Sequence, residues 1–242
     1  MTGVRRVAIL ASMPRVARIV IPDLPHHVTQ RGNNRQDVFF TDDDYRVYLG
    51  ILHRQSARYG LEVMGFCLMP NHIHLVAVPA THESLAKAVG RTHWLYAQYI
   101  NKRHGRSGHL WQNRFFSCPL GERHTYAVLA YVDRNPVRAR LERRAWAYPW
   151  SSAAAHIGRG DTSGLLNPRV CRRLADAMDW ESVLRRREDP ETLASVRGFT
   201  RRGRPLVSDT FLSKLERALG RRLRPLPIGR PRKKRSPRSG NR

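Results

Sequence analysis

The chain has 242 residues, 41% of them hydrophobic, which is enough for one packed domain of ordinary size and an appended segment. Its 44 lysines and arginines outnumber 19 acidic residues and give a formal net charge of +25. Such an excess predicts a polyanionic partner, and dense lysine and arginine favour nucleic acid over an anionic membrane. No stretch is long and apolar enough to span a bilayer, so we expect no membrane partner.

The three cysteines, Cys67, Cys118 and Cys171, lie far apart and include no Cys-x-x-Cys pair. This spacing argues against a disulfide framework and against a cysteine zinc site. The apolar run at residues 7–11 is too short for the core of a signal peptide. We therefore expect a reduced, cytoplasmic protein, and Met1 and Met13 are both acceptable start positions.

Hydrophobic periodicity and turn residues predict an alternation of strands and helices in the first part of the chain. In chain order these are a strand over 24–31, a helix from Thr41 or Asp42 to about Tyr59, a hairpin with arms 61–68 and 72–79, a helix over about 84–103, a strand over 114–120 and a helix over 125–135. This order is typical of an α+β domain, an antiparallel sheet with helices packed on it.

The later sequence divides the chain further. We expect an N-terminal extension over 1–22 that is partly disordered, the main domain over 23–155 and a small helical C-terminal extension over 156–220. In the extension, Asp189 with Pro190 and then Ser208 are typical helix-starting residues. Residues 221–242 contain ten lysines and arginines and no acid, which predicts a basic tail that is disordered when free.

His72 and His74 lie on the second arm of the hairpin, separated by Ile73. Successive side chains of a strand point to opposite faces, so the two imidazoles share one face. Two histidines placed in this way are able to hold one metal ion. Taken alone, the pattern also fits an ordinary polar strand, because histidines line many protein surfaces.

Tyr131 and Asn135 are four residues apart and would share one face of a helix. A tyrosine hydroxyl is able to attack phosphorus, and an amide oxygen one turn away is able to bind a metal ion. The residues alone leave another interpretation open, in which Tyr131 packs its ring in the core and Asn135 caps the helix before Pro136.

Five segments of the sequence, in this order and spacing, resemble the REP-associated tyrosine transposases. These are domesticated relatives of the single-tyrosine, HUH-type transposases of insertion sequences. The resemblance covers about residues 13–155, and the segments are His27–Arg35, Leu68–Val76, Gly108–Phe115, Tyr131–Ala139 and Tyr148–Ser152. One departure is Arg140, which stands where a glycine is usual after Asn-Pro-Val-x-Ala.

The resemblance implies a ferredoxin-like α+β nuclease domain and favours the functional interpretation of both sets of residues. His72, His74 and Asn135 match the family's metal ligands, and Tyr131 matches its nucleophile. The implied cofactor is Mg²⁺ or Mn²⁺. The implied reaction cleaves and rejoins single-stranded DNA at hairpin-forming repeats, similar to repetitive extragenic palindromes, through a 5′-phosphotyrosine link. A homodimer is compatible with the sequence.

Polar and basic residues near these segments are expected to bind the DNA. The expected contacts come from the end of the first strand and the polar loop after it, at Arg31, Asn33, Asn34 and Arg35. Arg114, in the third segment, is expected to contact DNA beside the site. In the tail, Arg230 belongs to a Gly-Arg-Pro sequence that resembles an AT-hook for a narrow minor groove. A non-specific phosphate-binding tail fits the same composition.

Two other classes of function compete with a transposase. A DNA-binding regulator of repetitive sequences would keep the fold without cutting, although such a protein gains nothing from retaining both histidines, Tyr131 and Asn135. An RNA-binding or ribonuclease module also fits the charge, but no feature of the sequence selects a 2′-hydroxyl.

Overall fold

The computed structural model describes residues 18–224 and has the predicted α+β architecture. The strands are β1 (His26–Arg31), β2 (Leu61–Met69), β3 (His72–Pro79) and β4 (Phe116–Pro119). The helices are α1 (Asp42–Tyr59), α2 (Ser84–Arg103), α3 (Glu122–Asp133), α4 (Asn135–Arg138), α5 (Ala153–His156), α6 (Pro168–Ala177), α7 (Trp180–Arg185), α8 (Pro190–Arg202) and α9 (Asp209–Leu219). Within the described range, none of them has the length and apolar character needed to cross a membrane.

The four strands form one antiparallel sheet in the order β2-β3-β1-β4, the order of a ferredoxin-like sheet. The hairpin arms β2 and β3 turn at residues 70–71 as predicted. β1 lies between β3 and β4, with His27 opposite Val76 on one side and opposite Cys118 on the other. The first strand of the chain is therefore central, and its side chains are covered on both faces.

Helices cover both faces of the sheet and create two separate cores. Val28, Ile73 and Leu75 pack on one face with residues of α1 and α2. Cys67, Val76 and their neighbours pack on the other face with residues of α3. Gly65 allows this second layer to come close, because a Cβ at this position would lie 2.7 Å from a methyl group of Leu129.

Three boundaries differ from the sequence-based expectation. β1 begins at His26 and β4 spans only Phe116–Pro119, so the predicted strands 24–31 and 114–120 were too long. The helix predicted over 125–135 begins earlier, at Glu122, and breaks after Asp133; Asn135 belongs to α4. The break has a simple cause: Pro136 has no N–H, and the side-chain amide of Asn135 donates instead to the carbonyl of Val132 at 3.3 Å.

The helices after residue 156 pack against the sheet domain. α8 contacts β4 and β1, and Leu206 donates its backbone N–H to Pro119 at 2.8 Å and accepts one from Gly121 at 2.9 Å. The predicted caps are present: the side chain of Asp189 accepts from the first turn of α8, and that of Ser208 accepts from Phe211. Packing of α8 beside β1 brings the C-terminal part of the chain to the sheet face that carries the histidines.

Arg140, the departure from the family pattern, adopts φ +60°. This is the left-handed backbone region that glycine occupies without strain. The turn after α4 therefore keeps a conformation suited to glycine even though the residue is an arginine.

Candidate active site

His72 and His74 point to the same sheet face, and their ring centroids lie 5.0 Å apart. The Nδ1 atom of His72 lies 2.6 Å from the side-chain oxygen of Asn71, and Nδ1 of His74 lies 2.9 Å from Nε2 of His27. Neither Nε2 atom has a hydrogen-bond partner among residues 18–224. A ring whose Nδ1 is held and whose Nε2 remains available is the usual arrangement of a metal-binding histidine.

Both imidazoles are neutral at neutral pH. Burial, followed by the nearby guanidinium groups of Arg31 and Arg138, lowers the pKa of His72 to about 4. Burial and the neighbouring His72 and His27 hold the pKa of His74 well below its usual range. The neutral ring is the form that binds metal ions, because its free nitrogen carries a lone pair.

Tyr131 lies at the end of α3 with its ring edge-on to His74, at 5.5 Å between centroids, and to His27, at 5.9 Å. The guanidinium carbon of Arg138 lies 4.2 Å from the centre of the same ring. The ring is largely buried, but its hydroxyl makes no hydrogen bond to a described residue. The fold thus brings the predicted nucleophile beside the predicted metal ligands.

The competing tyrosines of α2 lie on the opposite face of the sheet. Tyr96 belongs to the core between α1 and α2, and its hydroxyl donates to the carbonyl of Val38 at 2.7 Å. The hydroxyl of Tyr99 donates to Asp44 at 3.1 Å. Tyr126 is on α3 and partly packed in the second core. Because Tyr96 and Tyr99 lie on the opposite face of the sheet, they do not reach a group bound at His72 and His74.

Asn135 is buried, and its side chain is held at both ends. The amide nitrogen donates to the carbonyls of Tyr131 and Val132, each at 3.3 Å, and the amide oxygen accepts from Arg138 at 2.6 Å. Arg138 is itself paired with both carboxylate oxygens of Glu188 at 2.6 Å. The oxygen predicted to bind a metal therefore already has a charged donor, which sequence reasoning did not foresee.

The donor set fits a divalent cation in part. Two imidazole nitrogens have no hydrogen-bond partner among the described residues, but the amide oxygen of Asn135 accepts from Arg138. Residues 18–224 contain no group of three His, Cys, Asp or Glu side chains that could hold an ion. The carboxylate of Asp133, close in sequence, is bound to His156, Ser152 and Trp180. An ion here would need further oxygen ligands from water or phosphate. Oxygen ligands suit both Mg²⁺ and Mn²⁺.

The predicted DNA-binding loop lies at the edge of this site. Arg31 stands opposite His72 on the neighbouring strand and is exposed. Asn33, Asn34 and Arg35 form a single 3-10 turn, fixed by hydrogen bonds of its backbone to Leu110 and of the Asn71 side chain to the Arg35 carbonyl. Since Asn71 also contacts His72, it links the loop to the candidate metal ligand.

Arg114 belongs to a different surface, a cleft of about 430 Å³ between β4 and the end of α8, which we call the arginine cleft. Its lining residues include no acid and are Arg18, Asn113, Arg114, Phe115, Phe116, Ser117, Arg201, Arg202, Gly203 and Arg204. Burial and the nearby Arg114 lower the pKa of Arg18 to about 10. Arg230, the last predicted DNA contact, lies outside the described residues.

Sequence reasoning missed three residues that contact the predicted ligands or nucleophile, and a fourth, Glu188, that pairs with one of the three. Asn71 and Arg138 adjoin the predicted residues in the chain, and their proximity was a usable signal. His27 was noted only as part of a resembling segment, although its ring lies against His74. Glu188 has no local signal, because the contact that places it at Arg138 spans 50 residues of chain.

Comparisons with known proteins find a matching family model and a similar fold. Residues 21–135 match the sequence model of a family described as IS200-like transposases. Among solved structures, a REP-associated tyrosine transposase bound to a REP hairpin aligns with a TM-score of 0.53 and 15% identity, covering 64% of this chain and 90% of that one. A transposase-like protein from Deinococcus radiodurans R1 aligns with a TM-score of 0.36 and 17% identity over 50% of this chain and 96% of that one, too low to support an argument. No curated protein matches the chain.

Proposed function

We propose that this protein cleaves and rejoins single-stranded DNA with Tyr131 as nucleophile, because residues 21–135 match the sequence model of the IS200-like transposases. One observation supports this assignment most directly. The ring of Tyr131 lies 5.5 Å from that of His74 on one sheet face, and its hydroxyl has no partner among the described residues. The combination of a packed ring and a hydroxyl without a partner in the described part of the chain suits a nucleophile that meets a bound phosphate.

The proposed step exchanges one phosphodiester for another. The phenol oxygen of Tyr131 forms a bond to phosphorus as the bond to the 3′ oxygen breaks. The proton of the phenol ends on the released 3′-hydroxyl, and the 5′ end stays attached to the enzyme as a phosphotyrosine. Rejoining is the reverse step with a different 3′-hydroxyl. No energy source is needed, because the number of phosphodiester bonds does not change.

The residues around Tyr131 have complementary roles in this proposal. His72, His74 and Asn135 would hold Mg²⁺ or Mn²⁺, which when bound supplies positive charge at the scissile phosphate. A phenol is a weak acid, so removing its proton at neutral pH costs free energy. Arg138, 4.2 Å from the ring centre, stabilises the negative charge that the phenol oxygen acquires.

For the partner, we propose DNA that forms a hairpin with single-stranded flanks, of the repetitive extragenic palindrome type. The loop over residues 31–35 lies beside His72 and offers amide and guanidinium groups to bases and phosphates. The arginine cleft offers cations together with the ring of Phe116, which is 46% exposed. Cations combined with an exposed aromatic ring are typical of surfaces that bind single strands, because bases stack on the ring.

A second candidate function is a DNA-binding regulator that does not cut. The observation in its favour is the hydrogen bond between Arg138 and the amide oxygen of Asn135, because this oxygen is occupied in the folded protein. The two functions differ in whether the protein ever becomes covalently attached to DNA.

The deciding experiment is adduct formation. The full-length protein is incubated with a labelled hairpin oligonucleotide and Mn²⁺, and a covalent product is sought on a denaturing gel. We expect an adduct with the wild-type protein and none with Tyr131→Phe, which loses one oxygen and keeps the ring. Tyr126→Phe on the same helix is the matched control and should retain the adduct. A DNA-linked peptide containing another tyrosine would refute the assignment, and binding without any adduct would favour the regulator.

A further inference from the structure

We propose that Thr200 on α8 is a positioning residue of the active site, which acts through His27 to fix the tautomer of His74 and so direct its Nε2 lone pair to the metal. The predicted effect on metal binding rests on the proposed function. The hydrogen-bond chain from Thr200 to His74 does not depend on it. Thr200 lies outside the matched family domain of residues 21–135.

The chain of hydrogen bonds begins at Thr200, where the number of hydrogens decides which atom donates. Its hydroxyl has one hydrogen, which it donates to the carbonyl of Val196 at 2.7 Å. The same oxygen lies 2.8 Å from Nδ1 of His27. Since the only hydrogen is already used, the hydroxyl accepts here. Nδ1 of His27 must therefore carry a proton.

The count continues through the two imidazoles. His27 is fully buried and forms no ion pair with any carboxylate of the described residues, so its ring is neutral and has only one N–H. With that proton on Nδ1, its Nε2 accepts, and the partner 2.9 Å away is Nδ1 of His74. Nδ1 of His74 must donate. The lone pair of His74 is therefore on Nε2, the atom without a partner among residues 18–224.

The packing makes this arrangement specific. Rings of His27 and His74 lie nearly parallel, at an interplanar angle of 9° and a centroid distance of 5.1 Å, so each fixes the plane of the other. Thr200 comes from 173 residues further along the chain and is buried by the contact of α8 with β1 and β4. The C-terminal extension thus contributes an orienting group to the candidate metal site.

Two substitutions separate the effect of the Thr200 hydroxyl from the effect of side-chain packing. Thr200→Val keeps the shape and removes the acceptor, whereas Thr200→Ser keeps the acceptor. The matched control is Thr92→Val on α2, because the hydroxyl of Thr92 is also buried and donates to a carbonyl four residues earlier, that of Ala88 at 2.8 Å, but faces no histidine. Thermal unfolding shows whether the two valine variants are folded to the same extent.

Two measurements test the proposal without depending on DNA cleavage. Nitrogen-15 chemical shifts of the His74 ring report which nitrogen carries the proton, and electron paramagnetic resonance of Mn²⁺ reports metal affinity. We expect Thr200→Val to shift His74 toward a tautomer mixture and to weaken Mn²⁺ binding about tenfold, the usual effect of losing an outer partner of a ligand. Thr200→Ser and Thr92→Val should resemble the wild type.

The outcomes separate this proposal from the proposed function. A Thr200→Val variant whose His74 remains protonated only on Nδ1 overturns the proposal, whatever the metal affinity. If the tautomer shifts and Mn²⁺ affinity stays at the wild-type value, positioning of the metal ligand is refuted. If tautomer and affinity both change but the wild type forms no DNA adduct, the positioning role holds and the proposed transposase reaction fails.

Discussion

Arg138 donates a hydrogen bond of 2.6 Å to the amide oxygen of Asn135, the atom that the sequence assigns to the metal. The same guanidinium lies 4.2 Å from the ring centre of Tyr131 and is paired with Glu188. One arginine therefore connects the predicted nucleophile, a predicted ligand and the C-terminal extension. Its contacts with Asn135 and Tyr131 have opposite consequences for the proposed reaction. The hydrogen bond to Asn135 competes with the metal, whereas the positive charge beside Tyr131 favours a negatively charged phenol oxygen.

Arg138→Ala should separate these two effects. We expect Mn²⁺ affinity without DNA to rise by up to about 30-fold, because Asn135 loses a competing charged donor worth about 2 kcal/mol. The rate of adduct formation at saturating Mn²⁺ should fall at least about tenfold, as is typical when a stabilising charge is removed. Metal titration and single-turnover kinetics measure the two quantities. Arg185→Ala, which breaks the exposed pair with Glu181, is the control. A lower Mn²⁺ affinity in Arg138→Ala would mean that the arginine positions Asn135 instead of competing for it.

His72→Ala and His74→Ala should each abolish cleavage while changing hairpin affinity by about twofold or less. Phosphate contacts elsewhere dominate the binding of DNA, whereas the metal acts at the scissile phosphate. Gel-shift and adduct assays give both readouts, with the exposed His53→Ala as control. Undiminished cleavage by either variant would refute its assignment as a ligand.

Replacing Arg201 and Arg202 together by alanine tests the arginine cleft. We expect weaker binding of a hairpin with a single-stranded flank, and the slope of log affinity against log salt should decrease in magnitude by about 1.4, since each phosphate contact on a single strand contributes about 0.7. Arg54 and Arg58, exposed on α1, form the control pair. Equal salt slopes for the two double variants would show that the cleft does not contact the DNA.

The buried pair of His156 and Asp133 predicts a pH-dependent stability. Burial alone lowers the pKa of His156, but the Asp133 carboxylate, 2.7 Å from Nδ1, and the Met64 carbonyl, 2.9 Å from Nε2, raise it above its ordinary value. A histidine whose folded pKa is raised stabilises the protein fully below its unfolded pKa of about 6.5. That contribution is lost as the pH rises through the folded pKa.

Urea unfolding between pH 5.5 and 9 measures this effect. We expect the free energy of unfolding of the wild type to decrease above about pH 6.5, and Asp133→Asn to remove that decrease and to cost about 3 kcal/mol at low pH, as for other broken buried pairs. His53→Gln, at an exposed position, should keep the wild-type profile. A wild-type stability that rises over this pH range would contradict the raised pKa.

Arg140→Gly should stabilise the fold by about 1 kcal/mol, because Arg140 has φ +60° and an L residue is strained there. Arg143→Gly, at an ordinary backbone conformation, should not. Denaturant unfolding of the two variants measures the difference, and a destabilised Arg140→Gly would show that its side chain contributes more than its backbone costs.

Much of the fold and part of the site were predictable from local sequence. Alternation along β3 placed His72 and His74 on one face, because side chains of a strand alternate regardless of what surrounds them. The boundaries of α1, α2 and the hairpin followed from periodicity and turn residues, and the comparisons support the transposase family. The roles of Tyr131, Asn135 and the two histidines stay predictions. The break between α3 and α4 was missed, since it depends on a side chain replacing a backbone donor.

The sequence by itself determined that His72 and His74 share one sheet face, because alternation along a strand is a local property. Only the tertiary structure decided what surrounds those groups. Packing of α8 on β1 and β4 brought Thr200 to His27, and the segment between α7 and α8 placed Glu188 at Arg138. These contacts span 173 and 50 residues of chain, and no local pattern encodes them, because they arise from the burial of a helix face against the sheet.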